Sequence, residues 1–150
     1  MFYYIISVIL VIVDQLTKLA TLKYIKPIKS ITLIEGILSL TYVENRGAAF
    51  GVMQNARWFF IIFTLAIVAA AIIYSHTTRQ KSKTFLISVS LICAGGIGNL
   101  IDRIFRSYVV DMIEVTFIDY PVFNFADICV VCGAVLLCIY VLFSKDVNNK

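Results

Sequence analysis

The sequence has 150 residues, a length that suits a single domain. Hydrophobic residues make up 61% of it and charged residues 15%, whereas ordinary soluble domains have about 45–50% and about 25%. So few charged residues cannot cover the surface of a soluble domain of this size. The composition also excludes a disordered chain, a coiled coil and a secreted disulfide scaffold. Most of the chain is therefore predicted to lie in lipid.

Four apolar stretches have the length of a membrane-spanning helix, which needs about 20 residues to cross a hydrocarbon core of about 30 Å. They cover approximately residues 3–22, 57–75, 84–102 and 122–143. We predict an all-α polytopic membrane protein of one domain, residues 1–150, with four transmembrane helices. Asp14 and Lys18 interrupt the first stretch and no basic residue precedes it, so we expect a retained helix and not a cleaved signal peptide.

The distribution of basic residues predicts the orientation in the membrane. The connector after the second stretch and the C-terminal tail hold Arg79, Lys81, Lys83, Lys145 and Lys150. This density of positive charge favours a cytoplasmic side that contains both termini, with the connectors 23–56 and 103–121 outside. The first outer connector is also basic, but its positive charges are spread over a longer segment. Positive charges on both sides favour lipid headgroups over nucleic acid as partners.

The first outer connector contains the only predicted β-structure. Apolar and polar residues alternate over Leu38–Tyr42, after a predicted turn at Glu35–Gly36. We therefore expect a small β-element on the outer membrane surface.

The cysteines and the single histidine do not predict a metal or redox site. Cys93, Cys129, Cys132 and Cys138 all fall inside predicted helices, so we interpret them as small core residues despite the Cys-x-x-Cys spacing of the middle two. His76 falls in the cytoplasmic connector and is predicted to be solvated. No metal and no cofactor is expected.

Acidic residues in or beside the apolar stretches are the strongest functional signal. They are Asp14, Asp102, Asp111 and Asp127. An aspartate at the centre of a membrane helix costs about 2.5–3.5 kcal/mol, so each needs a partner or a function. The predicted topology places all of them toward the outer face. For Asp14 an ion pair with Lys18, one turn later, favours a scaffold role over direct chemistry.

Paired carboxylates are the chemistry that this sequence supports best. It has no Gly-x-Ser-x-Gly motif, and its one histidine lies in the opposite connector, so a nucleophilic serine or cysteine lacks a base. Two aspartates held close together share one proton. The ionised one then activates water, while the protonated one polarises a carbonyl and protonates the leaving amine. We therefore hypothesise aspartyl proteolysis at the membrane surface.

Five sequence blocks resemble the signature of lipoprotein signal peptidases, the signal peptidase II family, and they occur in the same order. The blocks are Asp14–Lys18, Asn45–Gly51, Gly98–Arg103, Val109–Met112 and Phe123–Asp127. The resemblance implies a bacterial aspartyl peptidase of the cytoplasmic membrane. It also implies that the first outer connector corresponds to the β-cradle of this family, which lies against the membrane and clamps the substrate.

The resemblance assigns a role to each unusual polar residue. Asp111 and Asp127 are implied as the catalytic pair. Asp102 is a rival for the place of Asp111, but its neighbour Arg103 is expected to keep it ionised, which suits a supporting role better. The residues implied to line the substrate site are Asn45, Asn99, Asp102, Arg103 and Asn124, and those implied to support the fold and the site are Asp14 and Lys18. Glu114 and Asp119 are interpreted as solvated loop charges.

The implied substrate is a prolipoprotein that carries a diacylglyceryl group on its cysteine, with cleavage just before that cysteine. Globomycin-type cyclic peptides are expected in the same groove, and the enzyme is expected to be a monomer in contact with membrane lipids.

Three other functions explain the polar residues of this sequence less well. An intramembrane aspartyl peptidase of the Gly-x-Gly-Asp type needs an aspartate directly after the second glycine. In this sequence Asn99 follows Gly98, so the motif lacks its catalytic residue. A small four-helix proton or ion carrier would have acids along the full crossing, and here the second helix has none. A structural membrane subunit would not explain the ordered polar blocks.

Overall fold

The computed structural model describes residues 2–48, 52–77 and 82–143. The helices are α1 (Phe2–Ala20), α2 (Arg57–Thr77), α3 (Lys83–Phe105) and α4 (Phe125–Phe143), and α1 continues through a π-helical segment at Thr21–Ile25. The strands are β1 (Ser30–Ile34), β2 (Leu38–Asn45) and β3 (Val109–Val115). The described residues do not include Ala49, Phe50 and Gly51 of the second sequence block, nor Arg79, Lys81, Lys145 and Lys150, on which the predicted orientation depends.

The predicted four-helix architecture is confirmed, with α3 at its centre. Four helices in the described part of the chain are long and apolar enough to cross a membrane. About 44% of the apolar window of α3 is buried, against 17% for each of the others, because α3 packs against α1, α2 and α4. The close approach depends on Gly98, since a Cβ there would lie 2.5 Å from Oδ2 of Asp14 and 3.2 Å from Cβ of Ala126.

A three-stranded antiparallel sheet, in the order β1-β2-β3, joins one end of the bundle. The turn between β1 and β2 contains Gly36 with φ of +69°, which confirms the predicted turn and strand. Strand β3 was not predicted. Its first half, Val109–Met112, is buried on both faces, so it lacks the alternation that identifies a half-exposed strand. Asp111 therefore lies in a sheet, opposite Val43 of β2, and not in a loop.

Several smaller predictions are corrected. His76 does not lie in the connector, because it belongs to α2, but it is exposed as predicted, with its Nε2 2.6 Å from the hydroxyl of Tyr4. Glu114 is not a solvated loop charge either, since it lies in β3 and accepts a hydrogen bond from the hydroxyl of Thr41. Asp119 is exposed, as predicted.

The predicted core position holds for Cys93 and Cys129, which are buried, and is wrong for Cys132 and Cys138, which are exposed on α4. All four thiols are free.

Candidate active site

Asp111 is held by two amide side chains from neighbouring elements. Its side chain is almost completely buried, with 1% of the residue exposed. Asn45, at the end of β2, donates from Nδ2 to Oδ2 of Asp111 at 2.9 Å. Asn124, just before α4, donates from Nδ2 to Oδ1 at 2.6 Å. No basic side chain in the described ranges forms an ion pair with Asp111.

Asp127 is positioned by the start of α4. Asn124 directly precedes the helix, and its Oδ1 accepts a hydrogen bond from the backbone N–H of Asp127 at 2.9 Å. In return, the N–H of Asn124 donates to Oδ2 of Asp127 at 3.1 Å. These reciprocal bonds form a capping box, which the positive end of the helix dipole reinforces. Asn99 of α3 donates from Nδ2 to the other carboxylate oxygen at 2.8 Å. Asn124 thus contacts both aspartates.

Both aspartates line one cavity of about 410 Å³. Three further residues of the predicted site, Asn45, Asn99 and Arg103, also line it. Much of the remaining wall is apolar and comes from α2, α3 and α4, including Phe63, Ile67, Val68, Ile92, Val130 and Val131. The cavity therefore combines a carboxylate pair with an apolar wall along the helices.

Arg103 fixes part of the cavity wall. Its Nη2 donates to the carbonyl oxygen of Gly47 at 3.1 Å, and its guanidinium lies 4.8 Å from the ring centroid of Phe60. The side chain thus joins α3 to the segment after β2 and to α2. In the sequence analysis Gly47 belonged only to the second block and Phe60 was not singled out, because only the fold brings them next to Arg103.

The environment of Asp111 raises the pKa of its carboxyl group to about 7. Burial has the largest effect, and the nearby charge of Asp127 adds to it. The hydrogen bonds from Asn45 and Asn124, together with the positive charge of Lys18, act in the opposite direction. A carboxyl group with this pKa holds a proton over part of the neutral range, which acid-base chemistry at a carboxylate pair requires.

A buried ion cluster, defined as Asp14, Lys18, Asp102 and Arg106, lies behind the cavity. Nζ of Lys18 lies 2.9 Å from Oδ2 of Asp14 and 3.1 Å from Oδ2 of Asp102, and these three side chains are at most 1% exposed. The predicted Asp14–Lys18 ion pair is therefore confirmed. Asp14 also accepts a hydrogen bond from the N–H of Ala126 at 3.0 Å, which links α1 to the start of α4.

The predicted partner of Asp102 was wrong. Its carboxylate pairs with Lys18 and with Arg106, whose Nη1 lies 2.5 Å from Oδ1, and it accepts a hydrogen bond from the N–H of Val110. Successive residues of an α-helix point about 100° apart, so Arg103 faces the cavity instead. Arg106 is four residues from Asp102, a spacing that could have identified the pair in the sequence. Asp102 does not line the cavity.

The fold and the site define a polytopic membrane protein whose helix bundle encloses an aspartate-lined cavity at one end. The chain belongs to the family described as signal peptidase (SPase) II, which matches residues 6–143, and it is therefore a member of a peptidase family.

Relatives named lipoprotein signal peptidase are similar along most of this chain. The protein of Clostridium acetobutylicum is 42% identical over 139 residues, covering 91% of this chain and 90% of the relative. The protein of Halothermothrix orenii is 44% identical over 146 residues, covering 97% and 99%.

Two solved structures, each described as a bacterial membrane enzyme determined by the in meso method, share the fold at 33% identity. One has a TM-score of 0.90, with 99% of this chain and 91% of the other chain covered. The second has a TM-score of 0.86, with 95% and 94% covered.

Proposed function

We propose that this protein is an aspartyl endopeptidase that removes the signal peptide from diacylglyceryl-modified prolipoproteins, cleaving just before the lipidated cysteine. One observation carries the proposal: Asp111 and Asp127 line the same cavity, are joined through Asn124, and receive hydrogen bonds from amide groups. Membership of the signal peptidase II family supports the substrate class.

In the proposed reaction the two aspartates share one proton. The ionised carboxylate takes a proton from a water molecule, whose oxygen attacks the scissile carbonyl carbon. The protonated carboxyl group polarises the carbonyl oxygen and then protonates the leaving amine. The products are a signal peptide with a new carboxylate and a lipoprotein whose lipidated cysteine carries a free amino group. Hydrogen bonds from Asn45, Asn99 and Asn124 hold the carboxylates in place for both steps.

The cavity suits a substrate that is itself apolar over most of its length. Its apolar wall runs along α2, α3 and α4, and its polar groups gather near the sheet. A signal peptide and acyl chains in lipid would hold the scissile bond at the polar end. With both termini cytoplasmic, this end faces outward, where water is available. We propose that a monomer without metal or cofactor carries out the reaction, and that globomycin-type cyclic peptides compete for the same cavity.

The distribution of acids disfavours a proton or ion carrier. Helix α2 contains no acidic residue, and Asp14, Asp102 and Asp127 converge at one end of the bundle. A carrier needs polar groups along the whole crossing.

The proposal is tested with purified protein and a diacylglyceryl precursor peptide. Asp111→Asn and Asp127→Asn should each abolish cleavage, because the substituted pair cannot supply both an acid and a base. Asp119→Asn is a matched control, since this aspartate is exposed in the connector between the two, and it should cleave normally. A metal chelator should have no effect. Full activity in either site variant would overturn the assignment.

A further inference from the structure

We propose that Lys18 is a positioning residue for the reaction and acts through Asn99. The ammonium group fixes the orientation of the Asn99 amide, and this amide in turn holds the carboxylate of Asp127. The inference rests on the proposed function, and it replaces a general supporting role of Lys18 with a specific one that acts through Asn99.

All three N–H donors of Lys18 have acceptors within the protein. Two go to Asp14 and Asp102, at 2.9 and 3.1 Å. The third goes to Oδ1 of Asn99, at 2.8 Å. Lys18 is completely buried, so its geometry is set by these acceptors and not by solvent.

The hydrogen bond from Lys18 allows one orientation of the Asn99 amide. An ammonium group has donors and no acceptor, so it bonds only to the carbonyl oxygen of the amide. The amide nitrogen then faces Asp127 and donates to its Oδ1 at 2.8 Å. In the flipped orientation an N–H₂ group would face the ammonium and an oxygen would face the carboxylate. Both contacts would be repulsive, so Lys18 favours the orientation that holds Asp127. Nδ2 of Asn124 also donates to Oδ1 of Asn99, at the longer distance of 3.2 Å, and favours the same orientation, so the shorter bond from the charged Lys18 is the stronger of the two constraints.

The charge balance of the ion cluster points to this orienting role and not to a general electrostatic one. The cluster has two acids and two basic residues, Asp14 and Asp102 with Lys18 and Arg106, so its formal charge is zero. Lys18 and Arg106 both pair with Asp102. Lys18 alone of the two forms a hydrogen bond with Asn99 among the described residues. Arg106 therefore provides a matched control for the loss of a cation.

The first experiment compares Lys18→Met with Arg106→Met, using kcat and KM for the diacylglyceryl precursor peptide. Lys18→Met should lower kcat by about 100-fold, as expected for a misplaced catalytic group, with KM unchanged because Lys18 does not line the cavity. Arg106→Met should lower thermal stability and leave kcat near that of the parent. Equal losses of kcat in the two variants would overturn the proposal.

A second variant tests the proposal even if Lys18→Met fails to fold. The double variant Lys18→Met/Asp14→Asn removes one positive and one negative charge, so the cluster stays neutral. The new amide oxygen at position 14 still accepts from Ala126. This variant should fold and show the same loss of kcat. Recovery of the parent kcat would contradict the inference.

A double-mutant cycle with Asn99→Ala gives the sharpest test. If Lys18 acts through Asn99, adding Lys18→Met to Asn99→Ala should cause no further loss of kcat. The proposal would be overturned if the losses of kcat in the two single variants multiply in the double variant. It would also be overturned if Asn99→Ala alone keeps full kcat. Asp111→Asn, assayed in parallel, separates the two hypotheses. If it is active the proposed function fails, whereas if it is inactive and the losses multiply, only the role of Lys18 fails.

Discussion

Asp14 and Asp102 share one ammonium group, whereas Asp111 and Asp127 receive hydrogen bonds from amides and face a cavity. The first pair is enclosed with Lys18 in the helix bundle and at most 1% exposed. The second pair has no cation within ion-pair distance among the described residues. A carboxylate bound to a cation contributes to structure. A carboxyl group that is buried near another carboxylate is able to keep a proton, and acid-base chemistry depends on that proton.

The largest expected effect separates the two pairs by function. Asp111→Asn should lower kcat by about 10⁴-fold or more, the scale seen when a member of a catalytic group is removed. It should leave the thermal unfolding midpoint in detergent unchanged or higher, because a buried carboxyl group is replaced by an amide of the same shape. A variant that unfolds more readily and cleaves normally would reverse the assignment of the two regions.

The same substitution in the ion cluster should affect stability instead. Asp14→Asn leaves Lys18 with one carboxylate fewer, and breaking a buried ion pair costs about 3–5 kcal/mol. The unfolding midpoint and the amount of protein in the membrane should fall, with a smaller change in kcat per folded molecule. Asp102→Asn should show the same pattern with partial loss of activity. A stable Asp14→Asn variant without activity would contradict the scaffold role.

The close packing next to the ion cluster provides a third test. In Gly98→Ala the new Cβ would lie 2.5 Å from Oδ2 of Asp14, and such overpacking costs about 1–3 kcal/mol. Gly96→Ala is the matched control on the same helix, because its nearest atoms are side-chain methyl groups of Val68 and Thr64 at 3.3 and 3.4 Å. The unfolding midpoint should fall in Gly98→Ala and change little in Gly96→Ala. Equal midpoints would show that Asp14 moves freely.

The pH dependence of cleavage should report on the protonation of Asp111 and Asp127. Since the pKa of Asp111 is raised to about 7, its proton is lost as the pH rises through this value. Once both aspartates are ionised no acid remains, so kcat/KM should fall about tenfold per pH unit on the alkaline side. Because the folded state binds this proton more tightly than the unfolded state, the stability that it contributes should be lost between the ordinary pKa of 3.8 and about 7 and be constant above that. A rate that keeps rising well above neutral pH would contradict the shared proton.

Removing the hydrogen bond that Asn45 donates to Asp111 should shift the pH dependence of cleavage by a smaller amount. The hydrogen bond from Asn45 lowers the pKa of Asp111, so Asn45→Ala should raise that pKa. The alkaline midpoint should then move upward by about one pH unit, given the usual strength of a hydrogen bond to a charged group. A downward shift in the measured profile would show that this bond does not stabilise the ionised form.

Several parts of the molecule could be predicted because their causes are local. Each membrane helix must satisfy its own backbone hydrogen bonds in lipid, so hydropathy identifies it without knowledge of the other helices. The Asp14–Lys18 pair follows from a spacing of one helical turn. Strand β3 escaped prediction because burial on both faces of Val109–Met112 removes the alternating pattern. Of the predicted site residues, Asn45, Asn99, Arg103, Asp111 and Asp127 do line one cavity, with Asn124 behind it, whereas Asp102 does not line it.

The amino-acid sequence by itself determined the four membrane spans and the small set of polar residues that require an explanation. It also carried the ordered blocks that identify the family. Only the tertiary structure decided how the aspartates divide into an ion-paired group and an amide-bound group. Asp102 pairs with Lys18 of another helix and turns away from Arg103, its neighbour in the chain. Such partners are distant in sequence and depend on helix rotation and close packing, so no local pattern encodes them.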